Sequence, residues 1–340
     1  MEKSTSVVKF RVTSLFAGVG GIDLAFKNTG AEIVWANEIN KNACITYRRN
    51  FGNSYLVEGD IKTVSPVPNF DILAGGFPCQ AFSIAGYRKG FTDPRGNIFF
   101  EVVRILQEKK PRAVFLENVK NLERHDGGKT FKIVKQALVD EGYFISYSVM
   151  NALNYGDIPQ NRERIYIVGF RNYRDYSNFH FPGKVKLTKT LKDVVNNSNP
   201  VDEKYYYKER SQYYKMLVSS VNRKDTVYQI RRTYVRENKS MVCPTLTANM
   251  GSGGHNVPLI LDDFGIRKLT PREVFRMQGF PESFILPKEL SDSALYHQAG
   301  NSVVVPVIES IAVNIIASMS MTDNISYDNQ RKAVLQVELE

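Results

Sequence analysis

The segment "VTSLFAGVGGIDLAF", residues 12–26, contains the pattern that decides the fold of this chain. A β-branched and apolar run leads into a turn with three glycines, and apolar residues at helical spacing follow the turn. Gly18, Gly20 and Gly21 permit a tight turn and the close approach of a ligand to the backbone. The pattern predicts a strand, a glycine-rich turn and a helix, the opening unit of many nucleotide-binding sheets.

Four more runs of strand length follow, and segments with helical periodicity lie between them. The runs are "EIVWANE" (32–38), "FDILAGG" (70–76), "AVFLENV" (113–119) and "RIYIVGF" (164–170). Strands and helices in alternation predict an α/β fold with a doubly wound, mainly parallel sheet. In such sheets, ligands bind outside the carboxyl ends of the strands.

The composition and the pattern of the sequence change after residue 183. From residue 184 to residue 295 the chain is polar, rich in tyrosine and basic, and it lacks the regular alternation. We predict a second, smaller domain there, and a large domain formed by residues 1–183 and 296–330. The apolar run "SVVVPVIESIAVNIIASM" predicts a helix that rejoins the large domain, and residues 331–340 are expected to form a tail.

The composition favours a polyanionic partner. The 340 residues carry a net charge of +10, which suits binding to phosphates but defines no chemistry. We find neither an 18-residue apolar run nor the apolar core of a signal peptide, and we expect an intracellular protein. Three distant cysteines and four scattered histidines predict no disulfide framework and no metal site.

Two carboxylates at strand ends indicate a nucleoside cofactor. Glu38 closes the second strand, where an acidic residue suits ribose hydroxyls, and Asp60 in "VEGDI" is placed to accept from an adenine amino group. The turn reads GxGG and not GxGxxG, which disfavours a pyrophosphate. Nicotinamide cofactors and S-adenosylmethionine (AdoMet) both remain candidates at this point.

Cys79 stands where a reactive thiol would be expected. It follows "AGGFP" at the end of the predicted strand "FDILAGG" (70–76), and a free thiol with a pKa of about 8.5 needs such a polar loop to become a thiolate. The alternative is a small buried residue, which is how we interpret Cys44 and Cys243. The flanking proline and glycines favour a nucleophile at Cys79.

Further polar groups end the next strands. Glu117 in "FLENV" can serve as an acid if its pKa is raised, or can simply cap a helix. Arg162 and Arg164 share a face of an extended segment and could hold a carboxylate, a phosphate or a carbonyl oxygen. Residues 81–96 are basic and glycine-rich, and they predict a lid that closes over an anionic substrate.

These motifs are highly specific in combination. Over nearly its whole length the chain resembles the bacterial C5-cytosine DNA methyltransferases of type II restriction–modification systems, through "FAGVGG", "NEI", "GD", "GGFPCQAFS", "ENV", "QNRER", "RKLTPREVFRMQGFP" and "AGNSV" in that order. The resemblance implies a Rossmann-like AdoMet methyltransferase fold with a target-recognition domain. It also implies methyl transfer from AdoMet to C5 of a flipped-out cytosine through a covalent cysteine–C6 adduct, with S-adenosylhomocysteine as product.

The resemblance assigns site residues by motif. It implies that Cys79 is the nucleophile, that Glu117 contacts N3 and N4 of the cytosine, and that Arg162 and Arg164 lie near O2 and a phosphate. The implied AdoMet contacts are Phe16, Gly18, Gly21, Glu38, Ile39, Asp60, Ile61, Pro78, Ile98, Asn301 and Val303. The predicted DNA contacts are Gln80, Ser83, Arg95, Arg231, Arg232, Arg236 and Thr245.

Base readout is predicted from "QIRRTYVRENK", residues 229–239, because arginine can contact guanine with two hydrogen bonds. The alternative is that these arginines contact phosphates only. One departure from the family is Asp157: "NYGDIPQ" stands where the family usually reads "DYGVPQ", which leaves the geometry of that loop open.

Other functions remain to be weighed. A tRNA cytosine methyltransferase would use the same chemistry, but the basic recognition domain favours duplex DNA. A zinc deaminase is disfavoured because "PCQAF" lacks a second cysteine and no HxE occurs. A catalytically inactive DNA-binding regulator is disfavoured by the intact Cys79, Glu117 and Arg162. The expected partners are double-stranded DNA and a restriction endonuclease that shares the site without forming a stable complex; we expect a monomer in the bacterial cytoplasm, nucleoid-associated through DNA.

Overall fold

The computed structural model describes residues 9–64, 67–77, 98–195, 198–252 and 257–337, with side chains as far as Asp323. Its centre is a seven-stranded sheet in the order β3-β2-β1-β4-β5-β8-β6. Only β8 runs antiparallel to its neighbours. The strands are β1 (Arg11–Leu15), β2 (Glu32–Glu38), β3 (Leu56–Glu58), β4 (Ile72–Gly76), β5 (Ala113–Val119), β6 (Phe144–Asn151) and β8 (Glu163–Phe170). The predicted doubly wound, mainly parallel sheet is confirmed.

Helices cover both faces of this sheet. The helices of the described residues are α1 (Gly21–Asn28), α2 (Lys41–Phe51), α3 (Phe99–Lys109), α4 (Lys129–Asp140), α5 (Ala152–Tyr155), α6 (Tyr173–Asn178), α7 (Tyr214–Ser220), α8 (Pro271–Arg276), α9 (Asp292–Asn301) and α10 (Val305–Val337). Apolar residues of α1 and α10 form one core with the sheet, and those of α3 and α4 form another. Because the central strands are parallel, their carboxyl ends lie together at one edge of the sheet, which the helices leave open. Ligands bind at this edge in folds of this kind.

The edge strand β6 was missed by the sequence pattern. Its sequence "FISYSVMN" has no long apolar run, because an edge strand is only partly covered and most of its residues are half-exposed or exposed. Strands β4 and β5 lie in the middle of the sheet and are apolar almost throughout. Burial on both faces explains why their continuous apolar runs were readable.

A second, smaller sheet lies in the region predicted as a separate domain. It has four antiparallel strands in the order β10-β9-β12-β13: β9 (Tyr228–Ile230), β10 (Val235–Glu237), β12 (Leu259–Leu261) and β13 (Ile266–Lys268). Its core contains Leu217, Tyr228 and Leu259, whereas Phe275 and Leu295 pack with the core around α10. The limits at residues 184 and 295 stay predictions.

A two-stranded parallel ladder connects the two parts. β7 (Gln160–Asn161) pairs with β11 (Cys243–Pro244), so that a loop of the large sheet lies against the end of the recognition region. This junction is short, and side chains continue it beyond the ladder.

The long helix α10 follows α9 closely and reaches Val337, within the segment that was expected as a tail. The stretch Asp292–Asp323 is long and apolar enough to cross a membrane by length and composition, which the search for apolar runs did not anticipate. Most of this stretch is buried: Ile308, Ile311 and Ile315, for example, lie fully in the core. Packing inside the protein accounts for its apolar character.

Candidate active site

A cavity of about 650 Å³ lies at the carboxyl ends of β1, β2, β4 and β5. Its volume is within the range of roughly 300–1,000 Å³ that is usual for small-molecule sites. The predicted cofactor residues that line it are Phe16, Gly18, Gly21, Glu38, Ile39, Asp60, Ile61, Ile98, Asn301 and Val303. The predicted catalytic residues that line it are Glu117, Arg162 and Arg164. The structure thus gathers both groups round one cavity, although their roles stay predictions.

The glycine-rich turn forms one wall and needs its glycines. Gly18 and Gly20 have φ angles of +57° and +88°, which side chains rarely adopt. A Cβ atom at Gly20 would lie 2.2 Å from Cε2 of Phe51, and one at Gly21 would lie 2.8 Å from Cγ2 of Val303. The glycines therefore let the start of α1 approach both α2 and the segment after α9.

The Glu38 carboxylate is held by the backbone of this wall. The amide of Gly18 donates to Oε2 at 2.8 Å, and the amide of Asn40 donates to Oε1 at 2.7 Å. Both oxygens keep a further lone pair that can accept from a ligand hydroxyl. The carboxylate is thus oriented in advance for hydrogen-bond donors inside the cavity.

Apolar side chains and a second carboxylate complete this half of the cavity. Two isoleucines line this half of the cavity. Ile39 is 64% exposed, which is unusual for a large apolar residue beside a buried strand, whereas Ile61 is buried. Oδ1 of Asp60 accepts from the amide of Lys62 at 3.0 Å. An apolar surface next to acceptors suits a planar, amino-bearing ring.

An ion pair forms the opposite side of the cavity. Nε of Arg164 lies 3.0 Å from Oε1 of Glu117, and both side chains are more than four-fifths buried. Gly76 stands beside Glu117 in the sheet, and a Cβ atom at Gly76 would lie 3.3 Å from Oε2. Asn118 donates to the carbonyl of Phe77 at 2.8 Å and so fixes the end of β4. The pair leaves Oε2 of Glu117 directed at the space above β4.

Arg162 has a different environment from Arg164. Its Nη1 donates to the carbonyl of Leu246 at 2.6 Å, and its Nη2 donates to those of Gly300 and Ser302 at 3.3 and 2.6 Å. Burial lowers the pKa of the guanidinium to about 9, and the charge of Arg164 contributes. Nε of Arg162 is buried and has no hydrogen-bond partner among the described residues. The two arginines therefore line the same cavity but have different protein partners.

Seven polar residues that line the cavity were not among the predicted site residues: Asn37, Asn40, Lys62, Asn118, His297, Gln298 and Ser302. Oε1 of Gln298 accepts from the hydroxyl of Thr46 at 2.8 Å, which joins α2 to α9. Asn301 lies beside His297 on the last turn of α9. His297 and Gln298 directly precede "AGNSV" and Ser302 lies within it, whereas Asn40 directly follows "NEI"; a position next to a motif is the signal that the sequence offers for these four residues.

A groove of about 400 Å³ lies between the β7–β11 ladder and the four-stranded sheet. It is lined by Asn161, Gln229, Arg231, Arg236, Pro244, Thr245, Leu246, Thr247, Asn249 and Pro258. Three predicted DNA contacts, Arg231, Arg236 and Thr245, are therefore here, whereas Arg232 is exposed and does not line the groove. Nη2 of Arg231 donates to Oε1 of Gln229 at 2.9 Å, a contact that the sequence reading did not foresee.

Some predicted residues lie outside the described part of the chain. These are Pro78, Cys79, Gln80, Ser83 and Arg95, and the segment predicted as a lid lies there as well.

The other cysteines agree with their structural interpretation. Cys44 and Cys243 are both buried with free thiols. Burial raises the pKa of Cys44 to about 12, and it raises the pKa of Cys243 further. Neither thiol is prepared for nucleophilic chemistry at neutral pH.

The structure also accounts for Asp157. Its φ angle is +48°, and its carboxylate accepts from the amide and the hydroxyl of Thr188 at 2.6 and 2.7 Å. A weaker bond comes from the amide of Lys189. Asp157 thus ties its loop to residues 188–189, and the loop still delivers Gln160 into β7.

The central sheet and its cavity define the class of protein: the fold is that of a Rossmann-like methyltransferase. Residues 10–317 match a family described as C-5 cytosine-specific DNA methylase. The chain belongs to this family, as the sequence motifs predicted, and it is a DNA cytosine methyltransferase.

Relatives support this membership over the whole domain. The type II methyltransferase M.Bsp6I of Bacillus sp. (strain RFL6) is 59% identical over 314 residues, which are 91% of this chain and 99% of the relative. M.SsoII of Shigella sonnei is 41% identical, over 92% of this chain and 81% of the relative. M.HhaI of Haemophilus parahaemolyticus is 39% identical, over 94% and 98%.

Solved structures share the fold. The Dnmt2 methyltransferase of S. pombe superposes with a TM-score of 0.69 at 20% identity, over 92% of this chain and 99% of the other. A putative DNA modification methyltransferase encoded within an E. coli prophage gives 0.65 at 21% identity, over 92% and 100%.

Proposed function

We propose that this DNA cytosine methyltransferase is a sequence-specific type II enzyme that uses AdoMet to methylate C5 of a flipped-out cytosine. The observation that carries the proposal is that the Glu38 carboxylate and the Glu117–Arg164 ion pair line one and the same cavity. A nucleoside cofactor and a base can therefore be brought together in one enclosed space.

The cavity suits AdoMet because it offers carboxylate acceptors and apolar side chains. Glu38 would accept from the ribose hydroxyls, because two backbone amides already orient it. Asp60 would accept from the adenine amino group, and Ile39, Ile61 and Phe16 would contact the ring. Asn301 and Val303 would close the site from the end of α9. When bound, AdoMet supplies the methyl group.

The chain's own residues would activate the base. The thiolate of Cys79 adds to C6, so a C–S bond forms, while Glu117 donates a proton or hydrogen bond to N3 and electron density moves to C5. After C5 is methylated, a water molecule would take the C5 proton as the C–S bond breaks, and N3 would return any proton it received to Glu117, which releases 5-methylcytosine and the Cys79 thiolate. Arg164 keeps Glu117 in place through the 3.0 Å contact.

The target base must leave the duplex to reach such a cavity. The groove beside it offers Arg231, Arg236 and Gln229 to base edges, and Thr245 to the strand near the flipped base. Arginine with two hydrogen bonds to guanine is the commonest specific contact in the major groove. Gln80, Ser83, Arg95 and Arg232 are also proposed to contact DNA.

The names of the relatives suggest the biological setting. M.Bsp6I, M.SsoII and M.HhaI are type II methyltransferases, and we propose that this chain likewise protects DNA within a restriction–modification system. The partner endonuclease would share the target sequence and form no stable complex. The enzyme would work as a monomer in the cytoplasm.

Methyl transfer from labelled AdoMet to duplex DNA and to tRNA, measured side by side, tests the proposal. Label in DNA, and bisulfite sequencing that finds one motif, would support it. Label in tRNA alone would contradict it.

A further inference from the structure

A buried network of three side chains joins the cofactor cavity to the DNA groove. Gln160 and Gln278 are fully buried, and Arg162 is 3% exposed. We call these three residues the polar clamp. Gln160 is the first residue of β7, Arg162 comes directly after this strand, and Gln278 comes shortly after α8.

On the groove side, the clamp holds Leu246 at both of its backbone polar groups. The Leu246 amide donates to Oε1 of Gln160 at 3.1 Å, and its carbonyl accepts from Nη1 of Arg162 at 2.6 Å. The β11 ladder ends at Pro244. Beyond the ladder, the clamp thus holds Leu246, the middle one of residues 245–247, which line the groove.

On the cavity side, the same clamp holds the end of α9. Nη2 of Arg162 donates to the carbonyls of Gly300 and Ser302, and Nε2 of Gln278 donates to that of Ala299 at 2.7 Å. Gln160 connects the two halves, because its Nε2 donates to Oε1 of Gln278 at 3.1 Å. Gly300 and Ser302 line the cavity.

A direct backbone contact supports the same connection independently of the clamp. A Cβ atom at Gly300 would lie 2.2 Å from the carbonyl carbon of Thr247. The end of α9 and the groove segment are thus in contact with no side chain between them. A shift of one of them requires a shift of the other.

We propose that Gln160, Arg162 and Gln278 are positioning residues that couple the cofactor cavity to the groove, so that each ligand raises the affinity for the other. The inference rests on the proposed function, which places AdoMet in the cavity and duplex DNA in the groove. A ligand against Gly300 and Ser302 favours the clamped arrangement, and this arrangement fixes residues 245–247 for DNA. Such coupling is reciprocal by thermodynamic necessity.

The test compares the dissociation constant of S-adenosylhomocysteine without and with saturating duplex that carries the methylated motif, by calorimetry on the full chain. The ratio of the dissociation constant without DNA to that with DNA measures the coupling. For the wild type we expect this ratio to lie in the usual range of about 5–150-fold. The variant Gln278→Met keeps length and burial but loses the amide, and its ratio should fall by at least about fivefold. The two binary affinities should change much less than this ratio.

The matched control is Tyr143→Phe. It removes a buried side-chain bond to a carbonyl, from the Tyr143 hydroxyl to Pro111 at 2.8 Å, far from the clamp. Its ratio should equal that of the wild type. A general loss of rigidity would lower both ratios, whereas the coupling predicts a change in Gln278→Met alone.

Amide hydrogen exchange on the wild type covers the case in which Gln278→Met does not fold. Addition of S-adenosylhomocysteine without DNA should slow exchange at Leu246 and Thr247. An unchanged rate there, or an unchanged ratio in a folded Gln278→Met, would overturn the inference while the proposed function stands. A wild type that binds neither ligand would instead refute the proposed function.

Discussion

Arg164 places its Nε 3.0 Å from Oε1 of Glu117, and this contact fixes a carboxyl group at the wall of the cavity opposite Glu38. The two residues come from neighbouring antiparallel strands, β5 and β8. The pair orients one oxygen of Glu117 through Arg164 and leaves the other for a substrate. The proposed chemistry requires Glu117 to act as a hydrogen-bond or proton donor to the base.

Glu117→Gln should lower kcat by about 10²–10⁴-fold, because an amide cannot transfer a proton to N3. The affinity for S-adenosylhomocysteine should stay close to that of the wild type, since Glu117 lies across the cavity from Glu38. Single-turnover kinetics and calorimetry separate the two effects. Glu163→Gln is the control, because its exposed carboxylate pairs with Lys120. A kcat near that of the wild type in Glu117→Gln would remove Glu117 from the chemistry.

Glu38→Gln should weaken cofactor binding. Hydrogen bonds to a charged group contribute about 1.5–3 kcal/mol, so the loss is of the order of 10–100-fold in affinity. The neutral side chain also suits the amides of Gly18 and Asn40 less well. The matched control is Glu58→Gln at the end of β3, where the carboxylate pairs with Arg48 outside the cavity. Equal losses in both variants would speak against a ribose contact at Glu38.

Asp23 predicts a specific dependence of stability on pH. Burial raises the pKa of its carboxyl from 3.8 to about 7, although Ser14 and Tyr47 lower it in part. Between about pH 4 and pH 7 the folded protein binds more protons here than the unfolded chain does, so this contribution to stability decreases as the pH rises through that window.

Asp23→Asn removes this titration. The difference in Tm between the variant and the wild type should therefore become more favourable to the variant from pH 5 to pH 8. Thermal unfolding in matched buffers measures it, and the double difference cancels the other titrating groups. A difference that does not change with pH would show that Asp23 does not titrate as inferred.

Arg231 and Arg232 are neighbours with different expected roles. Arg231 lines the groove and is oriented by Gln229, whereas Arg232 is exposed outside it. Arg231→Ala should cost about 1–3 kcal/mol in binding to the target and relax the preference at one base pair. Arg232→Ala should weaken binding to all sequences alike and reduce the salt dependence. The opposite pattern in competition binding would exchange the two roles.

The cofactor half of the cavity was predictable because its residues follow strand ends. Glu38 is the last residue of the run 32–38 and Asp60 comes after the short strand β3, and parallel strands end at the same edge of a sheet. No motif carried information about side-chain partners. Arg162 resembles Arg164 in the sequence, yet its partners Leu246 and Ser302 are 84 and 140 residues away.

The edge strand of the large sheet and the arrangement of surface side chains could not be predicted from the sequence either. β6 lacks an apolar pattern because part of it is exposed to solvent, and the different positions of Arg231 and Arg232 depend on the turn between β9 and β10. Arginine at either position would give the same composition and charge. Packing in the folded protein determines which strand lies at an edge and which arginine lines the groove, and a single sequence does not show this packing.

The most direct test of the central claim is the identity of the methylated product. Duplex DNA should be incubated with labelled AdoMet and either the wild type or Cys79→Ser, then digested to nucleosides and analysed by mass spectrometry. The account predicts labelled 5-methyl-2′-deoxycytidine with the wild type, and almost none with Cys79→Ser although that variant still binds S-adenosylhomocysteine. Label on another atom of the base, or equal product from Cys79→Ser, would contradict it.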